Sequence, residues 1–172
     1  EATDCANSVL DGADALMLSG ETSVGDFPIE AVKIMARIIE RTEEVALDQI
    51  PPLKHSPSTK GGAITKAATE VGLTVGAKFL VAFTQSGDSA RRMSRLRSPI
   101  PMLALTPEIG TYNRLALSWG VESMLTAVVN HTDEMVMQVD TLLIESKRVN
   151  IGDLVLIVAG SPPGIPGSIN AM

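Results

Sequence analysis

A chain of 172 residues, 45% hydrophobic and 20% charged, suffices for one ordinary soluble domain or one domain plus a piece of another. A net charge of -6 and an aromatic share of 3% disfavour a nucleic-acid partner, which calls for a basic face and stacking platforms, and no apolar run approaches the ~20 residues of a membrane-spanning helix. The single cysteine, Cys5, rules out an internal disulfide and fits a reducing, cytoplasmic setting. The opening "EATDCANS" has no Met and no signal-like basic or apolar region, as expected of a fragment or a processed chain.

In chain order, residues 2–11 read as a short helix ending at Gly12. "ADALMLS" (13–19) is a compact apolar run and reads as a buried strand, followed by the loop "GETSVGD" (20–26). Pro28 suits a first helical turn, with Glu30 favourable beside it. To residue 47 the polar positions Glu30, Lys33, Arg37, Glu40, Arg41 and Glu44 recur three or four apart, which predicts an amphipathic helix. Residues 48–60 are proline-rich and aperiodic and read as a linker between domains. Beyond it helices and strands alternate. Helix 62–75 carries Ile64, Ala67, Ala68, Val71 and Val75 on one face, and strand 78–83 follows. Helix 88–97, strand 101–105, helix 108–118, strand 121–126, helix 132–146 (Thr132 as candidate cap) and strand 154–159 complete the series. Four strands alternating with helices predict an α/β domain of three layers, a mostly parallel sheet covered on both faces. The tail 160–172 reads as a loop with a final strand begun and lost.

Three stretches carry polar groups where strands end. In "FTQSGDSARR" the residues Thr84, Ser86 and Ser89 supply hydroxyls, and Gly87 lets the backbone approach an anion. Arg91 and Arg92 lie in the first turns of the helix. That is a phosphate cradle or an ordinary strand-to-helix turn. "GSPPGIPG" (160–167) follows the most apolar strand and reads as a flap over a ligand or as a proline-stiffened connector. In "LSGETSVGD" (18–26), Glu21 and Asp26 read as an acid pair or as solvated loop residues. His55, His131 and Cys5 lack companions at metal-ligand or catalytic spacing. No Walker-type loop and no G-x-G-x-x-G is present, which disfavours a Rossmann-type enzyme.

The segment "EATDCANSVLDGADALMLSGETSVGDFPIEAVKIM" resembles the end of the catalytic barrel of the pyruvate kinase family. The stretches "FTQSGDSARR", "RSPIPMLALTP", "WGVES" and "GDLVLIVAG" follow in the order of that family's C-terminal regulatory domain, with a bacterial flavour. The resemblance covers the whole chain. It implies a remnant of a (β/α)8 barrel at 1–47, made of the last βα unit, then the linker 48–60 and a regulatory domain at 61–172.

By resemblance, the parent transfers a phosphoryl group from phosphoenolpyruvate to ADP with Mg (or Mn) and K, and is a homo-oligomer, a tetramer in many members. The catalytic lysine, metal ligands and potassium ligands fall upstream of Glu1. Only Ser19, near the barrel mouth, matches a family residue with a catalytic part, so no metal site and no activity are expected of this chain alone. The resemblance assigns a phosphorylated effector to Thr84, Gln85, Ser86, Gly87, Asp88 and Ser89, with Arg91 and Arg92 adding charge. The flap carries Pro163, Gly164 and Gly167. Asp88 stands where members responding to fructose 1,6-bisphosphate carry a basic or neutral residue, and the flap has no cation, so a monophosphate is the expected effector. The other reading is a free-standing phosphate-binding module. Against it, the apolar strand and helix at 1–47 need a larger protein to cover them.

Overall fold

The computed structural model of the protein describes residues 1–50, 57–161 and 169–172. His55 and the flap residues Pro163, Gly164 and Gly167 lie outside the described residues. The chain divides into two compact units, Glu1–Lys54 and His55–Met172.

The first unit holds α1 (Ala2–Leu10), the single turn α2 (Gly20–Ser23) and α3 (Pro28–Ala46), followed by a short 3-10 turn, Leu47–Gln49. Pro28 occupies the first turn of α3, where a missing N–H costs nothing, and Glu30 sits beside it. Both α1 and α2 pack on α3. Residues 13–19, read from sequence as a strand, form no ladder here. A strand's amides and carbonyls need a neighbour to pair with, and within this unit none is offered.

The second unit runs α4 (Lys60–Val75), β1 (Phe79–Phe83), α5 (Asp88–Ser94), β2 (Met102–Thr106), α6 (Ile109–Leu115), β3 (Val121–Leu125), α7 (Thr132–Glu145), β4 (Val155–Gly160) and β5 (Ile169–Ala171). The five strands form one sheet in the order β3-β2-β1-β4-β5. The first four are parallel, with Ala82 beside Ala104 on one side and Val158 on the other. The last strand is not lost: β5 pairs antiparallel with β4, Ala159 opposite Ala171. Asn170 ties this end down, its side chain accepting from the Ser161 N–H at 2.6 Å and donating to the Ser161 carbonyl at 2.5 Å.

Both faces of the sheet are covered, which is why β1 and β2 read as unbroken apolar runs. Leu80 and Ala82 point into one core with Ala68 of α4, Ala90 and Met93 of α5 and Leu115 of α6. Val81, Leu103 and Leu105 point into the other, with Val139 and Leu143 of α7. Fully burying a leucine such as Leu80, Leu103 or Leu105 stabilises by about 1.5–3 kcal/mol. Helices α5 and α6 share one face while α7 takes the other, as right-handed crossovers require when the chain reverses direction across a parallel sheet. Helix α4 ends in a left-handed glycine, Gly76 at φ 69°, and the next amide, Ala77 N–H, closes back on the Gly72 carbonyl at 2.9 Å. Among the described residues no helix is long and apolar enough to cross a membrane.

Candidate functional site

From β1 the chain steps outward through β2 to β3, then returns to place β4 on the other side of β1. Between β1 and β4 the connections leave the sheet in opposite directions. The carboxyl ends of such a strand pair flank the crevice where open α/β sheets bind ligands. The register that aligns Ala82 with Val158 brings residues 84–87, after β1, and Ser161, after β4, to that edge.

The loop is held from within. Thr84 is buried, and its Oγ1 accepts from the Gly87 N–H at 2.9 Å. The Ser86 Oγ accepts from the Asp88 N–H at 3.4 Å. Each hydroxyl keeps its own proton to donate. The Gln85 carbonyl accepts from the Thr111 hydroxyl of α6 at 2.5 Å. Gly87 lies at φ 83°, so the chain turns sharply into α5 and the helix's first amides stand at the loop. Ser89, one residue into α5, is also buried. Backbone N–H groups and hydroxyls at a strand-to-helix turn suit an oxyanion. With only 7 residues in α5, local amides rather than a macrodipole supply the attraction.

The arginines divide. Arg92 Nε contacts Asp88 Oδ2 at 2.6 Å, and its Nη1 donates to the Thr59 hydroxyl at 3.2 Å. Thr59 is the N-cap of α4, accepting from the Gly62 N–H at 3.2 Å. Arg92 therefore neutralises Asp88 and ties α5 to the start of α4. Arg91 turns the other way, and its Nη1 donates to the Ser86 carbonyl at 3.2 Å. On that flank Arg114 of α6 donates from Nη2 to the Thr111 hydroxyl at 3.0 Å. Thr59, Thr111 and Arg114 are absent from the sequence reading. Thr111 lies in the first turn and Arg114 in the last turn of α6, the helix after β2, whose carboxyl end lies at the same sheet edge, and that was the available signal. The expectation of a monophosphate counted cations in one loop and one flap, and the fold adds Arg114.

Ser19, Glu21 and Asp26 belong to the first unit. Ser19 precedes α2, and its N–H donates to Glu21 Oε2 at 3.0 Å. Hydrogen bonds from the backbone N–H groups of Glu21 itself and of Ser19 hold the Glu21 carboxyl below the usual carboxylate range. No hydrogen bond or ion pair joins Glu21 to Asp26 among the described residues. Nor do the described residues hold any cluster of three or more His, Cys, Asp or Glu able to bind a metal.

Comparison with known proteins gives the family of the chain. Residues 62–172 match the family model described as the pyruvate kinase alpha/beta domain, and residues 1–32 match the pyruvate kinase barrel domain. A pyruvate kinase of Mycobacterium tuberculosis is 54% identical over 170 residues, covering 99% of this chain and 36% of the relative. That of Corynebacterium glutamicum is 46% identical, covering 99% of this chain and 35% of the relative. The crystal structure of a pyruvate kinase from Cryptosporidium parvum superposes with a TM-score of 0.81 at 30% identity, over 92% of this chain and 34% of that one. The chain thus spans about a third of the length of the curated relatives it matches.

Proposed function

Since the chain belongs to the pyruvate kinase family, we propose that it is the C-terminal, regulatory portion of a phosphotransferase that moves a phosphoryl group from phosphoenolpyruvate to ADP in glycolysis. Its own task is to bind a phosphorylated small-molecule effector at residues 84–89 and to take part in assembling a homo-oligomer. The observation that carries this reading is the switch-point crevice. A loop of hydroxyls leading into α5 stands at the carboxyl end of β1, next to the stem of the segment that follows β4. Thr84, Ser86 and Ser89 supply hydroxyls to one phosphate, while Gln85, Gly87 and Asp88 shape the loop, the Gly87 and Asp88 amides being held by Thr84 Oγ1 and Ser86 Oγ.

Phosphoryl transfer relies on metal ions and cationic groups held against the migrating phosphoryl. No three or more His, Cys, Asp or Glu side chains gather among the described residues to hold the divalent metal of the family's reaction. We assign that metal and potassium to the parent upstream of Glu1, and Ser19 without them does no chemistry. The test is titration calorimetry with AMP and with a hexose monophosphate, on this chain and on Ser86→Asp. Saturable binding that the added carboxylate abolishes is the expected result. Binding indifferent to the substitution would remove the loop from the site.

A further inference from the structure

We propose that Arg91 and Arg114 form an anion subsite on the α6 flank of the loop, next to the cradle, which takes a second oxyanion of the effector. The inference rests on the effector-loop reading and deepens it. It starts from where the two guanidinium groups are held. Arg91 Nη1 bonds the Ser86 carbonyl at 3.2 Å. Arg114 Nη2 bonds the Thr111 hydroxyl at 3.0 Å, and that hydroxyl bonds the Gln85 carbonyl, one peptide away. Two cations on different helices are thus anchored to adjacent peptides of one loop.

Neither cation is neutralised. Arg92 has Asp88 and Arg148 has Glu122, but no carboxylate pairs with Arg91 or Arg114 among the described residues. Like charges held on one loop repel, and an anion between them removes that repulsion. The position of Arg91 is built in: a Cβ on Gly87 would lie 2.9 Å from Arg91 Nη1 and 3.3 Å from Thr111 Cγ2. The glycine leaves the space that the guanidinium fills. Each guanidinium keeps N–H donors beyond the one committed to the protein, in the planar fork that fits phosphate or carboxylate. The sequence assigns Arg91 and Arg92 to the first phosphate and leaves no cation for a second; the fold pairs Arg92 with Asp88 and holds Arg91, with Arg114 added, on the side of the loop away from β4.

The test uses inorganic phosphate, fructose 6-phosphate and fructose 1,6-bisphosphate as probes in calorimetry. The proteins are the 172-residue chain, Arg114→Gln, Arg91→Gln and Ser86→Asp, each checked for folding by circular dichroism. Charge-assisted hydrogen bonds lost with either arginine should weaken the bisphosphate on the order of ten- to hundredfold and leave fructose 6-phosphate within about twofold. Inorganic phosphate should compete with the bisphosphate in the unsubstituted chain and, through the intact cradle, with fructose 6-phosphate in both arginine variants; no competition in the unsubstituted chain overturns the reading of these groups as oxyanion sites. A bisphosphate-to-monophosphate ratio unchanged in both folded arginine variants overturns the subsite, while monophosphate binding abolished by Ser86→Asp keeps the cradle. Monophosphate binding indifferent to Ser86→Asp overturns the cradle instead. A parent chain that binds no sugar phosphate overturns both.

Discussion

Gly87 shows how a single residue serves two physical demands. From sequence it stands for close approach of an anion to the backbone. The structure adds that its φ of 83° is left-handed and that a methyl there would press on Arg91. A left-handed backbone costs a residue with a side chain roughly 1–2 kcal/mol. Gly87→Ala should therefore lower stability by about that amount and displace Arg91, read by urea unfolding with and without an effector. Glu21 carries a second residue-scale prediction. Its carboxyl is held below the ordinary range by two backbone N–H groups that favour the charged form. A depressed folded-state value means the stabilisation is complete above the unfolded value and is lost as pH falls through the folded one. An NMR titration should place the Glu21 midpoint below that of an unstructured glutamate, and the amides of residues 22–24 should exchange faster below it. A midpoint at the unstructured value would remove the hydrogen bonds from the account. Arg91 and Arg92 were legible as basic residues near the loop. Their divergence was not, because helical spacing says nothing of Thr59 or of α6.

At the scale of elements, the helices were legible where apolar positions recur at helical spacing, and α3, α4 and α7 fall within two residues of their sequence readings. Ends decided by long-range contacts were not. Helix α5 was read to residue 97 but stops at Ser94, whose hydroxyl donates to the Trp119 carbonyl at 2.6 Å. Arg97, at φ 51°, stacks its guanidinium 4.8 Å from the centre of the Trp119 ring. Thr132, the expected cap, is the first residue of α7, and the side chain of Glu134 reaches back to the Asn130 N–H at 2.8 Å. The cap of α4 leads to a test. Thr59 both accepts the Gly62 N–H and receives Arg92. Replacing an N-cap threonine with alanine costs about 1 kcal/mol, with a range of ~0.5–2. Thr59→Ala should lose about that in urea unfolding and speed exchange in the first turn of α4. Because the two residues share a hydrogen bond, Thr59→Ala with Arg92→Ala should cost less than the sum of the single changes. Strict additivity would show that the tie between α4 and α5 carries no energy.

The whole molecule joins two units of unequal completeness. The C-terminal unit closes its own cores on both faces of a sheet, and its alternating pattern was legible because strand and helix periods differ. Among its described residues the N-terminal unit has three α-helices, a segment at 13–19 without a ladder, and large apolar side chains in solvent: Met17 is 88% exposed, Val24 86% and Phe27 74%. Its sequence announces a strand because apolar composition records the environment a segment evolved to occupy. Whether a ladder forms depends on a neighbour that the segment does not contain. Two consequences follow for a chain spanning 36% of its relative's length. In a coupled assay with saturating Mg and K, it should show no pyruvate kinase turnover, since no described residues gather a metal; turnover like that of an intact kinase would sink the proposed division of labour. The second consequence is a difference in stability. Apolar surface left in water and unpaired backbone both lower the cost of local opening, and patches of that kind promote self-association. Amide exchange should therefore be fast through residues 1–47 and slow in β1, β2 and β4, unless sedimentation shows that copies associate through the first unit. Dilution separates the cases: exchange in 1–47 that accelerates on dilution marks association, and fast exchange at all concentrations marks a loose unit. Slow exchange throughout 1–47 in a proven monomer would mean that the unit is complete as it stands, and the barrel-remnant reading of residues 1–47 would have to be given up.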